Sequence, residues 1–189
     1  MSWQILFDSL FYIWTASEIL IAVLTRTRGS AGKLHDRGSM LILWLVIVAS
    51  ITACKWISLA NPPNMFGGAH WLKTAGLITM IIGLAIRWSA VISLGKAFSA
   101  NVAIRENQTV NTSGLYSIVR HPSYLGLLLI FLAIGLYSRH WLALAIVVIP
   151  TTAALLYRIH IEEAVLNAAF GDDYAAYCKR TKRLIPGVI

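Results

Sequence analysis

Five apolar runs, residues 5–24, 39–60, 71–94, 122–137 and 141–158, fill more than half of a 189-residue chain. Lipid offers a backbone no hydrogen-bond partners, so an unclosed chain can cross it only as helices that satisfy their own N–H and C=O groups. At about 1.5 Å per residue the first three runs match a hydrocarbon core of about 30 Å. The fourth reaches only about 24 Å and is expected to tilt or to cross in part. Charged residues make up 13% of the chain, against about 25% in soluble domains, which leaves no room for a separate soluble domain. The expectation is an all-α integral membrane protein with about five transmembrane helices. No basic segment precedes the first run, and Asp8 and Glu18 interrupt it, so it reads as a retained span rather than a cleaved signal.

The formal net charge of +8 does not point to nucleic acid, because the basic residues lie between and after the apolar runs. Arg26, Arg28, Lys33 and Arg37 face a single Asp36 in the loop at 25–38, the largest positive excess of any short loop, which assigns that loop to the cytoplasm. Lys179, Arg180, Lys182 and Arg183 put the tail on the same side. The N-terminus is then outside, as is the uncharged connection around Asn61-Pro62-Pro63-Asn64 flanked by Trp56 and Trp71. On this topology Asn107-Gln108-Thr109 and Asn111-Thr112-Ser113 are loop and turn chemistry rather than glycosylation sites. Arg87, near the inner end of the third run, is expected to snorkel to the interface. Ser138-Arg139-His140 implies an antiparallel hairpin of the last two runs, Pro150 a kink, and Gly171 a helix stop. Residues 1–94 read as three transmembrane helices and 95–189 as a core of polar loop, hairpin and C-terminal cytoplasmic helices. Cys54 and Cys178 have no paired spacing, and His35, His70, His140 and His160 are scattered, so no metal site is expected.

Chemistry concentrates where the polar stretch 95–121 meets the fourth run. Pro122 suits a first helical position, Arg120 and His121 sit at the helix mouth, Tyr124 offers a hydroxyl, and Gly126 permits close approach by a neighbour. Arg158 and Glu162, spaced i, i+4, share one face of the last helix at the same side of the membrane, beside Glu163. As a mere helix-stabilising pair they would contribute about 0.3–0.5 kcal/mol, and in the less favourable order. His121 is a candidate base, though a histidine before a helix more often anchors by hydrogen bonds. No nucleophile elbow, His-Glu-x-x-His or glycine-rich phosphate loop occurs.

Three ordered blocks, Thr112-Ser113-Gly114-Leu115-Tyr116, Arg120-His121-Pro122-Ser123-Tyr124-Leu125-Gly126, and Arg158 with Glu162-Glu163 followed by Phe170-Gly171-Asp172-Asp173-Tyr174 and Leu184-Ile185-Pro186, resemble the isoprenylcysteine carboxyl methyltransferase family. The resemblance covers roughly 95–187 and implies a membrane enzyme that uses S-adenosylmethionine bound in a cytoplasmic pocket. It implies cofactor contacts from Gln108, Thr109, Val110, Asn111, Tyr116, His121, Pro122, Ser123, Tyr124 and Glu162, with Arg158 on the acceptor carboxylate and Arg158 and Glu162 as the catalytic pair. The implied acceptor is lipid-like, such as a prenylated cysteine. In-line methyl transfer needs alignment more than acid–base chemistry, and a carboxylate, with a reference pKa near ~4, is already ionised. Phospholipid N-methyltransferases resemble the same blocks, but an amine acceptor needs a base. Nicotinamide-dependent sterol reductases resemble the C-terminal part in a longer chain. A non-catalytic adaptor or transporter would have no call for this polar set.

Overall fold

The computed structural model describes residues 3–25, 38–95 and 109–185; the basic loop at 26–37, the polar stretch through Gln108, and Pro186 lie outside the described residues. The helices are α1 (Trp3–Leu24), α2 (Ser39–Ala60), α3 (Trp71–Leu94), α4 (Pro122–Ser138) and α5 (Trp141–Arg180). Four are long and apolar enough to cross a membrane, and α4, with 17 residues, is the shorter one. Exposed Ile5, Tyr12, Leu41, Leu45, Val48, Ile81 and Ile149 cover their outer faces, which suits lipid rather than water. The protein is multi-pass and all-α, with one isolated parallel bridge, Val119 to Lys182, in place of any strand among the described residues.

The tightest packing is between α3 and α4. A Cβ on Gly126 would lie 2.7 Å from the Arg87 backbone N and 2.8 Å from the Gly83 carbonyl oxygen, and one on Gly76 would lie 3.0 Å from the Ala133 carbonyl oxygen. Two seven-residue spacings, Gly76 to Gly83 and Gly126 to Ala133, therefore mesh backbone to backbone, as small residues allow in membrane helices. The α4–α5 hairpin turns through Arg139 at φ 55 and His140. At that end, the N–H groups of Asn64 and Met65 donate to the Arg139 carbonyl at 3.0 and 2.9 Å, and the Arg139 guanidinium donates to Gly68 O at 2.8 Å. Phe66 meets Trp71 and Trp141 beside this junction, an aromatic group of the kind found at headgroup level. In α5 the helical dihedrals break at Gly171 (φ 50, ψ −120), as the glycine stop anticipates, while Pro150 sits within the helix without such a break.

Arg87 does not snorkel. It is 5% exposed and forks onto Glu18 of α1, with Nε to Oε1 at 2.9 Å and Nη2 to Oε2 at 2.8 Å. An acceptor of opposite charge within reach removes the reason to travel to the interface. Trp88 Nε1 donates to Ser17 Oγ at 3.1 Å alongside, so α1 is tied to α3 by two adjacent polar contacts.

Gly126→Ala should lower thermal stability in detergent by about 1–3 kcal/mol, because the new methyl meets backbone that cannot swing away. Gly38→Ala, where nothing lies within 4 Å, should stay within about 0.5 kcal/mol.

Candidate active site

The polar segment entering α4 is built by local turns and then clamped by the tail. Asn111 Oδ1 accepts the Ser113 N–H at 3.0 Å and the Ser113 hydroxyl at 2.8 Å, an Asx turn that confirms the turn role read for Asn111. Gly114 at φ 57 opens a 3-10 turn, Gly114–Ser117, that buries Tyr116. The Tyr116 carbonyl accepts the Tyr177 hydroxyl at 2.7 Å. The N–H groups of Arg120 and His121 donate to the Lys182 and Arg183 carbonyls at 2.8 and 3.1 Å. Arg120 Nη1 donates to the carbonyls of Cys178 and Thr181 at 3.1 and 2.5 Å. The break at Gly171 lets the last turns of α5 double over this segment.

A cavity of about 150 Å³ opens between these parts, roughly ten times the room one water needs. Thr109, Val110, Asn111, Tyr116, His121, Ser123, Tyr124, Arg158 and Glu162 all line it. Pro122 is buried at the first position of α4 and stands behind the lining rather than in it; Gln108 lies outside the described residues. Ile21, Ala22 and Trp14 of α1, Met40, Leu43, Trp44 and Ile47 of α2, and Leu127 form an apolar wall. Phe170, Tyr174 and Tyr177 of α5 add an aromatic one.

Arg158, 3% exposed, donates from Nε to the Tyr124 hydroxyl at 3.0 Å and from Nη1 to Ser39 Oγ at 2.8 Å. The Tyr124 hydroxyl in turn donates to Glu162 Oε2 at 2.7 Å. The i, i+4 pair of α5 is thus bridged by a tyrosine of α4, which orders both ends of the pair towards the cavity. Glu18, Arg87 and Ser39 also belong to the site, Glu18 and Arg87 in its lining and Ser39 on the Arg158 guanidinium. Opposite charges stranded deep in two separate apolar runs are the signal that finds Glu18 and Arg87; nothing in the sequence singles out Ser39.

Glu163 faces away from this ladder. Its carboxylate takes Arg120 Nε at 2.9 Å and Arg183 Nη2 at 2.6 Å, with His121 Nε2 at 3.4 Å. The His121 ring also stacks on Tyr124, centroids 5.7 Å apart. Burial pushes the Glu163 carboxyl up, but the hydrogen bonds from His121, Arg183 and Arg120 outweigh it and pull the group down to about 2 from an ordinary 4.5. It lies beyond the apolar part of α5, which ends before Arg158.

Residues 76–168 match the model of the isoprenylcysteine carboxyl methyltransferase (ICMT) family. Residues 76–168 belong to that family. Protein-S-isoprenylcysteine O-methyltransferase B of Arabidopsis thaliana is 30% identical over 120 residues, 62% of this chain and 61% of that protein. The Schizosaccharomyces pombe protein-S-isoprenylcysteine O-methyltransferase is 32% identical over 116 residues, 60% of this chain and 49% of that protein. A solved structure titled as the eukaryotic intramembrane Ras methyltransferase ICMT superposes with a TM-score of 0.62 at 26% identity, covering 77% of this chain and 52% of that one. The chain thus spans about half to three-fifths of the length of these relatives. The ICMT segment contains Arg87, the 109–126 block, Arg158 and Glu162, whereas Glu18, Ser39, Tyr174 and Tyr177 come from outside it.

Because Glu163 titrates lower in the folded protein than unfolded, its stabilisation is complete above about pH 4.5 and lost as pH falls towards 2. Thermal unfolding in detergent should show wild type losing its advantage over Glu163→Gln as pH drops across that window.

Proposed function

We propose that this protein is an integral membrane methyltransferase that moves a methyl group from S-adenosylmethionine to the carboxylate of a lipid-like acceptor such as a prenylated cysteine. The observation that carries the reading is a buried guanidinium, Arg158, held by Tyr124 on the polar side of a cavity whose other side is apolar. A planar fork of donors suits a carboxylate, and the wall of Trp14, Leu43, Trp44 and Ile47 suits a long hydrocarbon. The names of the curated relatives, which are isoprenylcysteine O-methyltransferases, support the same acceptor class.

The residues present fit the cofactor. Glu162 offers an anion for its ammonium or sulfonium charge, and Tyr116, Phe170, Tyr174 and Tyr177 offer aromatic surface for a base. Thr109, Val110 and Asn111 close one side, His121, Ser123 and Tyr124 another, and Pro122 fixes the start of α4. S-adenosylmethionine would supply a methyl group on a sulfonium, an electrophile that needs no acid to leave. Arg158 then has the work of aligning the acceptor oxygen, and the apolar wall that of excluding water. His121 contacts Glu163 through Nε2 at 3.4 Å and stacks its ring on Tyr124, contacts that fit an anchoring role. Residues 95–189 supply most of the candidate ligand contacts, and residues 1–94 supply most of the apolar wall together with Glu18 and Arg87. Ile21 and Ala22 near the end of α1 and Met40 near the start of α2 line the cavity, and the positive excess of the sequence between these two helices supports a cytoplasmic cavity and tail with the N-terminus outside.

Labelled methyl from S-adenosylmethionine should pass to a prenylcysteine in detergent and not to an ethanolamine lipid. Arg158→Ala should cut kcat/KM for the prenylcysteine by roughly 100-fold or more, as removing a transition-state donor does, while leaving cofactor affinity within about threefold. Glu162→Ala should instead weaken cofactor binding by roughly tenfold or more, the scale of a lost charge-assisted contact. Equal loss of cofactor affinity in both variants contradicts this division of roles.

A further inference from the structure

A hydroxyl carries one hydrogen and two acceptor lone pairs, whereas a guanidinium has only hydrogens to give. Ser123 Oγ receives a hydrogen bond from Arg87 Nη1 and lines the cavity. That bond consumes a lone pair and leaves the Ser123 hydrogen, for which no acceptor stands among the described residues. Arg87 is in turn fixed by Glu18, which takes Nε and Nη2 at 2.9 and 2.8 Å and so aims Nη1 at the serine. The three side chains are 5–6% exposed, so water has little part in setting these bonds. Glu18 also neutralises the guanidinium, which makes Arg87 a poor competitor of Arg158 for a carboxylate.

We propose that Glu18 and Arg87 are positioning residues that commit the Ser123 hydroxyl to donate its hydrogen to an acceptor atom of the ligand in the cavity. This rests on the S-adenosylmethionine reading and adds α1, outside the ICMT segment, to the cofactor site. The pair is more than a brace between α1 and α3. A brace needs only two opposite charges, while the relay needs the cation on α3, next to Ser123.

Charge exchange separates the two roles. In Glu18→Arg/Arg87→Glu the ion pair persists, but position 87 now accepts from Ser123 and draws its hydrogen away from the cavity. Binding of S-adenosylhomocysteine to the full chain in detergent, followed by calorimetry, should weaken about three- to tenfold in the exchanged variant, the range of one hydrogen bond, with its unfolding temperature close to wild type. Ser123→Ala should weaken binding by the same factor, and the triple variant no further, since both act through one hydrogen. Should the exchanged variant fail to fold, Glu18→Leu/Arg87→Met replaces it, because apolar replacement of a buried pair is often tolerated; it removes the donor that fixes the hydroxyl without adding an acceptor, so it should weaken binding, by less than Ser123→Ala does. Wild-type affinity in the folded exchanged or apolar variant, or in Ser123→Ala, overturns the proposal. If wild type itself does not bind S-adenosylhomocysteine, the proposed function fails and takes the relay with it; if wild type binds and the variants match it, the relay alone fails.

Discussion

Backbone contact between α3 and α4 is the constraint on which the rest depends. Gly83 and Gly126 leave no room for a Cβ between the helices, and Arg87 lies one turn beyond Gly83 while Ser123 lies three residues before Gly126. The close approach therefore sets the guanidinium against the serine at the mouth of α4. A charge buried at that depth without a partner would cost several kcal/mol. Glu18 meets the cost from α1, so the same glycine contact that packs two helices also dictates where a third must sit.

The cavity is consequently polar on one side because Glu18, Arg87, Arg158 and Glu162 converge there and are held by partners on other helices. Arg87 meets Glu18 and Ser123; Arg158 meets Tyr124 and Ser39, and Tyr124 carries the chain on to Glu162. Each polar ladder crosses from one helix to another, so each helix end orients a group it does not itself carry. Glu163 performs the complementary task on the outer side, gathering Arg120 and Arg183 and so pinning the tail over the loop that enters α4. The apolar side is left to α1 and α2, which bring Trp14 and Trp44 to the cavity. A polar reaction and a hydrocarbon chain can share such a space without either being exposed to the wrong solvent.

The helices were legible because lipid makes their pattern simple: the apolar runs begin and end within about two residues of α1, α2, α3 and α4. Local rules also sufficed for Pro122 at the start of α4, Gly171 at the break in α5, and Gly126 at a close contact. The candidate cofactor and acceptor residues came through resemblance; apart from Gln108, outside the described residues, and Pro122, behind the lining, they line one cavity. Pairings distant in sequence were not legible. Periodicity shows that Arg158 and Glu162 share a face, but not that Tyr124 stands between them. Arg87 looked like a snorkelling residue because its partner lies 69 residues earlier, in a run where Glu18 reads only as an interruption. The clamp of the tail on Arg120 and His121 rests on backbone hydrogen bonds, which leave no mark in residue identity.

The proposed reaction stands or falls with the binding of an adenosyl cofactor in this cavity. Titrating S-adenosylhomocysteine into the purified wild-type chain in detergent tests it directly. Saturable binding at one site per chain is the predicted result; no heat of binding across the titration, together with no shift in unfolding temperature, would contradict it.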